Sequence, residues 1–184
     1  MFQQNILNPS NVDTIRINNI IQIIGGSLFI ALCAQIKVPL WFTPVPLTLQ
    51  TLAAMIIGAT LGARNGAFSF MLYLTQISAG FPVCAGGISD VAILIGPKAG
   101  YYYGMLLQTY LVGWVFERKK IFASAKLLLA VFAISFIQLG LGTLWLGVFV
   151  GWKNAPMMGF FPFIPGEILK SIAVTSIYGK LQKE

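Results

Sequence analysis

Residues 127–150 carry no charged side chain. An uncharged apolar run of that length can cross a bilayer as one helix. It is also not isolated: 57% of the 184 residues are hydrophobic and 9% charged, where a soluble domain has about 25% charged. Inside hydrocarbon every backbone N–H and C=O must be bonded within the protein, and a helix does this by itself. The sequence therefore predicts an all-α integral membrane protein.

The apolar runs predict a bundle of six transmembrane helices, at residues 18–36, 47–63, 66–80, 101–116, 127–150 and 159–178. They form one domain over 18–178, between a polar N-terminal segment, 1–17, and a short tail, 179–184. Arg64, Asn65 and Gly66 divide an apolar region too long for one span. The segment 37–46 holds three prolines, which remove backbone donors and disfavour helix before them. The segment 82–100 is glycine-rich, bounded by prolines and still apolar. A long irregular loop of that kind is more often a functional lid than filler, the plainer alternative being a hairpin connection.

Six spans put both termini on one side. With the termini inside, Arg16, Arg64, Arg118, Lys119, Lys120, Lys126, Lys180 and Lys183 lie inside, and Lys37, Lys98 and Lys153 outside. This bias predicts a multi-pass protein of the cell membrane with cytoplasmic termini. It also explains the net charge of +7 better than nucleic-acid binding does, because the basic residues cluster only between apolar runs. Both irregular loops then face outward, as does the first half of the last span.

That half holds Glu167 and Lys170. An acid and a base at membrane depth mark a functional site by default, and three residues apart on a helix they share one face. Pro165 and Gly166 precede them, placing Glu167 near a helix N-terminus, where a carboxylate is favoured. The two readings are a structural ion pair and a polar pocket for a solute.

Other chemistry is excluded. There is no histidine, and no GxxxxGK[ST] phosphate loop for ATP. The five acidic residues, Asp13, Asp90, Glu117, Glu167 and Glu184, make no metal cluster. Cys33 and Cys84 make no disulfide framework. The chain is expected to be no enzyme and to need no cofactor.

Four motifs carry a resemblance. Residues 85–101, AGGISDVAILIGPKAGY, resemble the AGGxGGxxxLxGPTGGY loop of the BioY biotin transport proteins, the substrate-binding (S) membrane subunits of energy-coupling factor (ECF) vitamin transporters. PVPLTLQTLA at 44–53 is similar to the start of that family's second span, LGLGTLWL at 139–146 to its fifth, and FIPGEILK at 163–170 to its FxPGDxxK. The likeness runs from about Ile20 to Ile177. The departures are Ser89 and Asp90 for a glycine pair, Lys98 and Ala99 for Thr-Gly, and Glu167 for aspartate.

The resemblance implies a biotin-capture subunit energised by a membrane coupling subunit and separate ATP-binding cassette ATPases, with a homo-oligomer as the further arrangement. Biotin's ureido ring has two N–H donors and a carbonyl. Glu167 suits the donors and Lys170 an acceptor oxygen, ureido or carboxylate. Trp41, Tyr101, Tyr103 and Phe163 are candidate walls; Gln50 and Thr48 candidate polar lining; Gly86, Gly87 and Asp90 candidate lid contacts. Ser27 and Ala31, four apart, stand nearest to the family's AxxxA motif for docking the coupling subunit. Alternatives are an S-component for another small vitamin, or a membrane assembly protein that binds no solute.

Overall fold

The computed structural model describes residues 9–88, 91–118 and 124–181. Long helices dominate: α1 Pro9–Gln35, α2 Gln50–Ser78, α3 Ala99–Glu117, α4 Ser124–Val150 and α6 Ile164–Leu181, with α5 Ala155–Gly159 a short one before the last. Among the described residues, three stretches are long and apolar enough to cross a membrane: Ile17–Gln35, Ala125–Val150 and Ala155–Ile177. The structure is mostly but not wholly helical. Strands β1 Lys37–Val38 and β2 Leu47–Thr48 pair antiparallel, Lys37 opposite Thr48, and close the proline-rich segment into a hairpin.

Helix α1 begins well before the expected span, inside the polar N-terminal segment. Pro9 is its first residue, a position where the missing N–H costs no hydrogen bond. Its Ser27, Ile30, Ala31 and Ala34 are buried, while Ile20, Ile21, Ile24, Leu28 and Leu32 are exposed. The small residues meet α2: Gln76 Nε2 donates to Ser27 Oγ at 3.2 Å. Ser27 and Ala31 are therefore buried within this chain. A helix of this chain already covers them, because small side chains let α2 come close.

Helix α2 is broken at Gly62, whose φ of 81° and ψ of 176° are not helical. The break falls just before the Arg64-Asn65-Gly66 divide expected from polarity, at a residue that takes positive φ without a Cβ clash. The two arms of α2 fold onto each other, so that a Cβ on Gly66 would stand 3.2 Å from Gly58 Cα. Glu117, at the end of α3, closes the break: its Oε1 accepts the Ala63 N–H at 2.8 Å.

Helix α2 packs most extensively on α3, α3 on α4, and α6 against α2 and α4. One apolar cluster, with Phe70, Tyr73, Tyr101, Tyr102 and Phe163, lies under the 82–100 loop. A second, with Met55, Val112, Phe116 and Val131, fills the bundle farther along.

The loop itself is tied down from several helices. Gln35 Nε2 donates to Cys84 O at 3.2 Å, Tyr73 Oη to Val83 O at 3.1 Å, Tyr103 Oη to Leu94 O at 3.0 Å and Trp145 Nε1 to Gly96 O at 2.9 Å. Side chains thus satisfy carbonyls that irregular backbone leaves open, the condition for such backbone near membrane depth.

Candidate functional site

Pro165 is the second residue of α6, and Glu167 lies in the first turn. Three residues on, Lys170 points the same way, and its Nζ stands 2.9 Å from Glu167 Oε1. A third group comes from the start of α2. Lys170 Nζ donates to Thr51 Oγ1 at 2.6 Å, and Thr51 Oγ1 donates to Glu167 Oε1 at 2.8 Å. The hydroxyl both accepts from the ammonium and gives to the carboxylate, fixing both side chains. Glu167 is 1% exposed and Lys170 8%.

The arrangement is incomplete on one side. Glu167 Oε2 is buried and has no hydrogen-bond partner among the described residues, and the same holds for Gln138 Oε1. Both residues, with Lys170, Thr48, Thr51, Tyr101 and Phe163, line a cavity of about 40 Å³. A second chamber, of about 50 Å³, lies toward the loop and is lined by Thr48, Gln50, Lys98, Tyr101 and Tyr102 together with Ala85 and Ile88. Val45, Pro46, Thr48, Tyr101 and Met105 border both. The two are therefore adjacent, with these residues as their shared wall.

Tyr101 is the divider. Its hydroxyl donates to Gly159 O at 2.7 Å, so α5 holds the ring in place. The ring lies 6.3 Å from that of Phe163.

Of the residues expected from sequence, Glu167, Lys170, Tyr101, Phe163, Gln50 and Thr48 meet here. Gly86 and Gly87, at φ 88° and 69°, turn the loop at an exposed position, and their neighbours Ala85 and Ile88 reach the chamber instead. Trp41 does not wall the pocket. It is 97% exposed, at the tip of the β1–β2 hairpin beside Phe42, where an aromatic suits a membrane interface. Tyr103, two positions from Tyr101 on α3, is turned to the opposite face and is half exposed. Asp90 lies outside the described residues.

Thr51, Gln138 and Lys98 were not expected as lining. Gln138 had a signal, being an amide in an otherwise apolar span. Lys98 had one as well, as a charge beside the loop's last proline. Thr51 had none, because a threonine in a membrane helix usually bonds its own backbone.

Among the described residues, no three of His, Cys, Asp and Glu gather at one point. The chemistry on offer is charge, hydrogen bonding and apolar contact. An unpartnered carboxylate oxygen, an ammonium and an amide between aromatic walls suit a compact polar head that both donates and accepts.

The chain matches the model of the BioY family over residues 6–184. It is 36% identical over 156 residues to the biotin transporter BioY2 of Lactococcus lactis subsp. cremoris, covering 84% of each chain. It is 33% identical over 159 residues to a probable biotin transporter BioY of Pyrococcus horikoshii, covering 85% of this chain and 93% of that one. Its fold is similar to the crystal structure of an S-component for biotin from an ECF-type ABC transporter. The TM-score there is 0.83 at 25% identity, covering 93% of this chain and 94% of that one.

Proposed function

The chain belongs to the BioY family, and we propose that it captures biotin within the membrane as the S-component of an ECF-type transporter, with no catalytic activity of its own. The observation that carries this reading is the unpartnered Oε2 of Glu167, buried beside Lys170. In the proposed complex that oxygen accepts a ureido N–H of biotin, and Lys170 donates to the ureido oxygen. Phe163 and Tyr101 wall the apolar rings. The two chambers are small beside the roughly 300 Å³ or more of ordinary ligand sites, so biotin binding requires them to widen.

Counting each arm of α2 as one crossing gives six spans, with both termini in the cytoplasm and the 82–100 loop outside. The distribution of lysines and arginines supports this. The chain has no nucleotide motif, so uphill transport requires a coupling subunit and ATPases.

Isothermal titration of the purified protein with biotin and a panel of other vitamins tests the ligand; the expected result is biotin binding alone. Orientation is tested at Ile95, which is exposed, whereas native Cys84 is wholly buried and unsuited to labelling. With Cys33 and Cys84 replaced, Ile95→Cys should react with an impermeant thiol reagent in intact cells. A tag after Glu184 should be reached only after permeabilisation, and the reverse pattern would refute the topology.

A further inference from the structure

In the proposed complex the cavity at Glu167 takes the head of the ligand. The second chamber has different chemistry. Among the described residues, no Asp or Glu lines the chamber under the loop. Its polar lining includes Lys98, which is half-buried and just precedes α3, at that helix's positive end. Lys98 has no carboxylate partner among the described residues, the ion pair there being Lys170 with Glu167. Beside it in the lining is Gln50, 2% exposed. Its Nε2 carries two N–H donors, of which at most one is directed at the Tyr73 hydroxyl, and it makes no full hydrogen bond among the described residues. Its described lining therefore offers a cation and a spare N–H donor, with no carboxylate to use them. Val45, Tyr101 and Met105 form an apolar wall that the chamber shares with the Glu167 cavity.

We propose that Lys98, assisted by Gln50, anchors the carboxylate of the bound molecule and makes the protein selective for the free acid over its neutral esters. This assignment rests on the biotin reading. With the ureido ring against Glu167 and Lys170, the valerate chain lies along the apolar wall that the two cavities share, and its carboxylate arrives at Lys98. Two separate cations then do separate work: Lys170 serves a neutral carbonyl and Lys98 a charge. A hydrogen bond between charged groups contributes enough to separate acid from ester by roughly tenfold to a hundredfold.

The experiment is titration of biotin and biotin methyl ester into wild type, Lys98→Met and Lys98→Arg in detergent, with thermal unfolding of each unliganded protein as a check on folding. Wild type should prefer the acid by that factor. Lys98→Met should bring biotin down to the affinity of the ester and leave the ester unchanged, with Lys98→Arg restoring the preference. Equal losses for acid and ester in Lys98→Met, or an undiminished preference for the acid, would overturn the assignment. A wild type that binds both forms equally would overturn the anchor but not the biotin reading. A wild type that binds neither would overturn both.

Discussion

Glu117 and Glu167 stand at two junctions of the bundle, and they are finished differently. Glu117 closes the break in α2: its Oε1 takes the Ala63 N–H at 2.8 Å, and the residue is exposed, so water completes its solvation. Glu167 closes the approach of α6 to α2. Its Oε1 takes Thr51 and Lys170, but its Oε2 is buried without a partner. Leaving a buried polar atom unsatisfied costs about 1–3 kcal/mol, more for a charged group. A carboxylate that only joins helices has no reason to bear that cost, and Glu117 does not. On the proposed reading, the difference separates a carboxylate whose work ends inside the chain from one that meets the ligand.

The largest expected effect lies at the open end. Removing one partner of a buried hydrogen-bonded charge pair costs roughly 2–5 kcal/mol. Lys170→Ala should therefore weaken biotin binding by roughly 30- to 3,000-fold, as should Glu167→Gln to a lesser degree. The melting temperature of the unliganded protein should fall comparatively little, since a wetted cavity can solvate Glu167. Titration and thermal unfolding in parallel decide it. Near-normal affinity with a sharply lowered melting temperature would make this junction as structural as the one at Glu117.

Gln138→Leu sharpens the contrast, because the two measurements should move apart. The wild-type amide oxygen is buried and unpartnered, so an apolar side chain of similar size should leave the unliganded melting point unchanged or raised. Biotin affinity should still drop, by about tenfold. A lowered melting point would show that Gln138 is a structural bridge.

The smallest effect is expected at the closed end. Glu117→Ala removes a cap on the second arm of α2 and should cost about 1 kcal/mol of stability, with biotin affinity within about twofold of wild type. A large loss of affinity there would mean that the α2 break and the site are coupled through α2, on which Thr51 also sits.

Much of this was legible beforehand. Hydrocarbon-like composition leaves few folds open, and an acid and a base three apart must share a helix face, so Glu167 and Lys170 could be paired on paper. Tyr101, Phe163 and Gln50 followed from their places in the motifs. The inward and outward faces were harder to read. In a soluble helix the polar side marks the surface, but here Leu28 and Leu32 face outward while Ser27 is buried. Lipid is as apolar as a protein core, so hydrophobicity does not tell one from the other. Small Ser27 and Ala31 promised a close neighbour without saying whose helix it would be. Trp41 left the pocket because a two-pair hairpin, invisible in a run of prolines, turns its tip outward.

What the sequence by itself determined is the set of terms: helices that must bond their own backbone, a charge pair too costly to be incidental, and a glycine at 62 able to take a conformation that other residues resist. What only the tertiary structure decided is the company those groups keep. Thr51 is 116 positions from Glu167, and no local spacing predicts that its hydroxyl joins the ion pair. Nor could any motif say that one carboxylate oxygen would be satisfied and the other left bare. That depends on which side chains from distant helices reach the same few cubic ångströms, and packing geometry settles it.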